Sequence, residues 1–153
     1  MQYKKNAFTM IELIFVIVIL GILAAVAVPK LMATRDDAQI SKMAMAISSS
    51  ASDISGYAVS NGKIETDISK MSGIIDELII TNDAKQDDLT VPKVDFKAGE
   101  VAECISLQIS SGNDANLSIS FGNANGDRLC LSLQSMFNIS DYPIPLKGNT
   151  IQH

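Results

Sequence analysis

The strongest constraint on this chain lies near its start, where no charged or strongly polar side chain occurs from Leu13 to Val28, yet Glu12 stands at the head of that run. The stretch from Ala7 to Val28 is 22 residues, or about 33 Å as an α-helix at ~1.5 Å per residue. A bilayer's hydrocarbon core is about 30 Å thick. A short polar leader, Met1 to Ala7, precedes the run and carries Lys4 and Lys5, and Pro29-Lys30 closes it. Positive charge before an apolar span holds that end in the cytoplasm and sends everything after Pro29 to the far side. Glu12 is the anomaly, because a chain needing only an anchor has no reason to place a carboxylate in oil. A free α-amine on a neighbouring chain would neutralise it. That solution requires cleavage of the leader close to Phe8 and side-by-side packing of the helices.

Ala7-Phe8-Thr9-Met10-Ile11-Glu12-Leu13 resembles the cleavage and methylation site of type IV prepilins and type II secretion pseudopilins. In that family a dedicated peptidase cuts before the aromatic residue, methylates the new amine and leaves a Glu at the fifth mature position. The resemblance implies a cut between Ala7 and Phe8, N-methylation of Phe8, and Glu12 as the assembly carboxylate. Gly21 and Pro29 match helix-weakening positions of the family's N-terminal helix. The similarity is close from about Lys5 to Ala38 and fades beyond, and Ala7 stands where the family nearly always has Gly. Three other readings compete. Ala25-Val26-Ala27 could end an ordinary secretory signal peptide, although a Glu near the start of the apolar region is unusual there. A plain membrane anchor explains the length but not Glu12. Glu12 could also snorkel to the interface without a partner.

Beyond Pro29 a helical period resumes. Ile40, Met43, Ala44, Ile47, Ala51, Ile54 and Ala58 recur at spacings of three and four, the stripe of an amphipathic helix. Asp37, Lys42, Ser49 and Asp53 fall on the polar side, and Asn61-Gly62 is a good C-terminal stop. One long helix is expected from about Phe8 to Ser60, weakened at Gly21 and short of one donor at Pro29. A second, short helix is expected within Asp67 to Ile80. A polar loop follows, with Val91 to Phe96 as an edge strand. The period then changes to two. Val101, Ile105, Leu107 and Ile109 form one strand, Leu117, Ile119 and Phe121 a second, and Leu129, Leu131 and Leu133 a third. Turn-rich separators, Ser111 to Asp114 and Gly122 to Asp127, lie between them. The expected fold class is α+β, a long N-terminal helix packed on a small antiparallel sheet. This agrees with the pilin family's fold. The tail holds Pro143 and Pro145 around Ile144 and should lie extended over the sheet or at a subunit interface. The organisation read from the sequence is a leader over 1–7, a membrane or filament-core helix over 8–29, and a periplasmic head over 30–153.

Two cysteines, Cys104 and Cys130, fall on the far side of the span, where a single disulfide is the natural state for a small exported domain. In a simple meander, however, they would sit on the first and third strands, about 9.5 Å apart at twice the ~4.8 Å strand spacing. A disulfide needs Cα atoms within about 7 Å. Either those strands are neighbours, a cysteine lies outside regular pairing, or the thiols are free. The family often closes its C-terminal region with one disulfide, so the resemblance implies that the two are bonded.

The net charge of −5 and pI of about 4.7 argue against binding to a nucleic-acid backbone. The one histidine, His153, supports no catalytic arrangement, and neither a phosphate-binding glycine loop nor a zinc spacing is present. An enzyme is not expected. Asp114 and Asp127 sit in turn loops, and some major pseudopilins hold calcium near such loops. No EF-hand-like spacing accompanies them, so turn chemistry is the expectation and no cofactor is assigned. The resemblance implies a structural subunit of a type II secretion or related DNA-uptake pseudopilus. The subunit would wait in the inner membrane, its N-terminus cytoplasmic and its head periplasmic, before entering a periplasmic filament. Its partners would be copies of itself and related pilins, the prepilin peptidase, an inner-membrane assembly platform and lipid. A type IV pilus subunit shares the same N-terminus. A signal-peptide-bearing periplasmic binding module is the alternative from a different class.

Overall fold

The computed structural model describes residues 8–110 and 115–146. Helix α1 runs from Met10 to Asn61, and the chain divides within it into two compact units, between Ala38 and Gln39. In the first unit every described side chain is exposed, including the large apolar ones from Phe8 to Met32. Its helix is long and apolar enough to cross a membrane.

In the second unit α1 continues as the amphipathic stripe. Ile40, Ile47, Ala51, Ile54 and Ala58 are buried, while Met43 and Ala44 pack half-buried against the core. The helix ends where Gly62 takes φ +65° and its N–H donates to the Ala58 carbonyl at 3.0 Å. This is the left-handed closure that glycine accepts most readily. A 3₁₀ turn, Ile68–Lys70, precedes α2, Gly73–Ile80. The Asp67-to-Ile80 segment is therefore helical in two pieces, and Ile68, Met71, Ile75 and Leu78 all point into the core.

The stripe packs on a five-stranded antiparallel sheet: β1 Ala84–Lys85, β2 Lys93–Ala98, β3 Val101–Ile109, β4 Asn116–Phe121 and β5 Ile144–Pro145, paired in chain order. Val94, Phe96, Ile105, Leu107, Ile109, Leu117 and Ile119 make the apolar face, joined through the pairings Phe96↔Ile105 and Leu107↔Ile119. Two edges differ from expectation. The strand expected over Val91 to Phe96 lies inside the sheet, because the two-residue β1 covers it. The Pro143–Pro145 tail reaches the far edge as β5, following a cis Tyr142–Pro143 bond, and pairs with β4.

One expected strand is a helix. Leu129 to Leu133 lies in α3, Arg128–Ser135, whose buried positions are Cys130 and Leu133 at helical spacing while Leu131 remains 51% exposed. Asp127 starts the helix by accepting the Leu129 and Cys130 N–H groups, the cap that favours helix over strand at this point. Asn125 and Gly126, both at positive φ, turn the chain into it.

Candidate functional site

The first helical turn is closed by its own side chains. Thr9 donates its backbone N–H and its hydroxyl to Glu12 Oε2, each at 2.8 Å, and the Glu12 N–H donates back to Thr9 Oγ1 at 3.3 Å. This is a reciprocal capping box, which satisfies donors that a helix start leaves unpaired. Both Thr9 bonds reach the same carboxylate oxygen, leaving Oε1 with no partner among the described residues. Among the described residues, then, Glu12 uses one of its two carboxylate oxygens. Thr9 went unassigned in the sequence, although Thr9-Met10-Ile11-Glu12 has the spacing of that motif.

Phe8, 88% exposed, lies just before the capping residue, and Ala7 lies outside the described residues. Gly21 has open space where a side chain would go. Pro29 lies within α1 and supplies no N–H to the preceding turn. The arrangement is a carboxylate at the head of an exposed apolar helix that contains two weak points.

In the second unit Cys104 and Cys130 form a disulfide with Cα atoms 5.6 Å apart and both residues fully buried. The meander geometry failed for two reasons. Cys130 lies on α3 rather than on a third strand. In addition, the β2–β3 register shifts between Phe96 and Ala98, and near this irregularity Cys104 and Ile105 are both buried. Gln134, one turn beyond Cys130, fastens the junction by donating to the Cys104 and Gly122 carbonyls, each at 2.9 Å.

Asp127 serves two elements. Besides capping α3 it accepts the Glu100 N–H at 3.1 Å, and its carboxylate lies against Gly99, leaving no room for a side chain there. The N–H groups of Cys130, Glu100 and Leu129 hold its carboxyl below the usual range. Asp114, the other acid of the calcium question, lies outside the described residues. Asp87, Asp95 and Glu103 bring their carboxylates together. Asp95 is buried and engaged by Ser106 and by Lys93, the latter at 2.7 Å.

The family model for the prokaryotic N-terminal methylation motif matches residues 3–28. The chain carries the type IV pilin and pseudopilin signature. That signature spans the leader, Phe8, the capping box and the apolar helix up to the residue before Pro29. It supports a structural subunit of the pilin-like class, and implies processing by a prepilin peptidase and pilin-type filament assembly. With the exposed apolar helix, it fits a membrane-anchored, single-pass protein. No curated protein and no solved structure matches the chain.

Proposed function

We propose that this chain is a subunit of a type II secretion pseudopilus or a related DNA-uptake pseudopilus, held in the inner membrane until it is polymerised. The observation that carries the reading is Glu12, an acid capped by Thr9 through one oxygen at the head of an exposed apolar helix, its other oxygen without a partner among the described residues. In the proposed mechanism the peptidase cuts between Ala7 and Phe8 and methylates the Phe8 amine. Thr9 holds Glu12 through Oε2 in the waiting subunit, and the methylated amine of a neighbouring subunit then pairs with the carboxylate at its other oxygen. The helix before Pro29 moves from lipid into the filament core, with Gly21 and Pro29 as the points where it loosens. The head, with its disulfide, faces the periplasm. The small head, and the lack of a basic or aromatic patch among its described residues, support a pseudopilus over a type IV pilus.

Mass spectrometry of the N-terminal peptide from native membranes tests the processing step. The expected result is an N-methylated Phe8, whereas a mature start at Val28 would identify a cleaved signal peptide and end the reading. Glu12→Ala should insert in the membrane at the wild-type level and lose filament incorporation. Normal incorporation by that variant refutes the charge mechanism.

A further inference from the structure

The head carries an apolar pocket at one end of β2 and an exposed acidic loop at the other. The pocket has a volume of about 340 Å³ and a floor made by Ile40, Met43, Leu78, Leu129 and Leu133. Its rim holds Lys42 and Lys97, with Asp83 as the acid among them. Neither lysine has an ion-pair partner among the described residues. At this size the site lies at the small end of the ~300–1,000 Å³ range of ligand pockets, suited to one apolar side chain and its flanks.

The loop from Gln86 to Pro92 presents Leu89, 59% exposed, directly after Asp87 and Asp88. Its backbone is held firmly. Gln86 accepts the Ile68 N–H and donates to the carbonyls of Thr66, Asp88 and Val91. Asp88 accepts the N–H and hydroxyl of Thr90, and these bonds keep its carboxyl charged well below the usual range. A leucine held outward on a loop braced this way has already lost its backbone freedom, so its burial by a partner would order little more.

The two features cannot meet within one chain. The pairing Lys85↔Asp95 starts the loop alongside β2 and sends it toward the Lys93 end. Asp83, Lys97 and Gly99 sit at the opposite end, where the Lys97 N–H donates to the Asp83 carbonyl. Six strand residues at ~3.3 Å each separate the ends by roughly 17–20 Å. A knob and a socket on opposite ends of one body make a heterologous contact, which propagates into an open filament wherever the rotation between copies does not close a ring.

We propose that Leu89 of one subunit docks in the pocket of a second copy, with Asp88 facing Lys42 and Lys97, while Asp87 stays paired with Lys85 of its own chain. This deepens the filament reading and rests on it. The opposite charges set register, and the leucine supplies apolar burial.

The test uses the full-length chain in its native cell. Leu89→Cys and Met43→Cys are placed in one chain and the filament fraction is treated with a mild oxidant. The native cysteines are bonded to each other and buried, so they do not compete. Head-to-tail docking gives a ladder of trimers and longer species on non-reducing gels. Dimers only, or filaments without cross-links, overturn the docking while the filament reading stands. If the wild-type chain forms no filaments, both fall. As a second measurement, Asp88→Lys or Lys97→Asp alone should each lower filament yield by about tenfold, with recovery in the combined variant. Wild-type yield from both single reversals would also overturn the docking.

Discussion

Reduction of the Cys104–Cys130 bond should cost the head about 3.5 kcal/mol. The two residues are 26 apart in sequence, and the chain-entropy model gives about 3.5 kcal/mol at 25 °C for a loop of that length. Reduction of the wild-type protein isolates this term, because the sulfurs stay in place and the core around them is unchanged in composition. With a guanidinium dependence of about 3–4 kcal/mol/M for a domain of this size, the unfolding midpoint moves down by about 1 M. The measurement is tyrosine fluorescence of the full chain in detergent, with and without reductant, since Tyr57 and Tyr142 both report on the head and the chain has no Trp. The Cys104→Ala/Cys130→Ala variant should unfold near the reduced wild type and ignore reductant. Oxidised and reduced midpoints that coincide would refute the reasoning. They would mean either that the bond does not form or that the unfolded chain already keeps these segments together.

Gly122→Ala should destabilise the head at or beyond the upper end of the usual ~0.5–3 kcal/mol range for single substitutions. A Cβ there would collide with the Glu103 carbonyl in the main chain of β3, and an unchanged denaturation midpoint would contradict the close approach. Acid should weaken the head through Asp127, Asp88, Asp67 and Glu65, whose carboxyls are all held below their usual values. For Asp127 the cause is the N–H groups of Cys130, Glu100 and Leu129. A depressed folded-state pKa gives stability that is fully present above the unfolded value, about pH 4, and lost as pH falls through the folded one. Asp127→Asn should therefore unfold with a shallower loss as the pH falls below about 4, and a loss matching the wild type's would show that Asp127 is not coupled to folding.

The sequence revealed most where one period runs long. The stripe from Ile40 to Ala58 repeats over five turns, so the amphipathic half of α1 and its closure at Gly62 are plain in the residues. Short segments misled. Leu129-Cys130-Leu131-Ser132-Leu133 alternates as a strand would, but five residues cannot separate a period of 2 from one of 3.6. The deciding signal was the residue in front, Asp127, a strong N-cap after Asn125-Gly126. Taking that segment for a strand also produced the impossible distance between the cysteines, which vanishes once Cys130 sits on α3. Strands β1 and β5 were hard to recognise for a related reason, since two residues define no alternation and their pairing is imposed by the neighbouring strand. At the N-terminus the charge of Glu12 is the conspicuous feature, but the hydrogen-bonding capacity of Thr9, three residues earlier, is equally plain in the sequence.

The two units stand in opposite relations to their surroundings. The second buries its apolar residues against one another and satisfies nearly every buried polar side chain, with Ser50 Oγ the exception among the described residues. The first buries none of its described side chains, so it must borrow its apolar surroundings from lipid or from other chains. Either would cover Phe15, Leu20 or Val26 equally well, because neither surface distinguishes hydrocarbon from leucine. Glu12 does distinguish them. Hydrocarbon offers its carboxylate no donor, whereas, on the proposed function, a bundle of processed chains brings an α-amine at each N-terminus. On the proposed function, then, the apolar residues make the helix able to live in both environments and one carboxylate makes it prefer the filament. A variant that keeps the hydrophobicity and removes the acid should remain in the membrane.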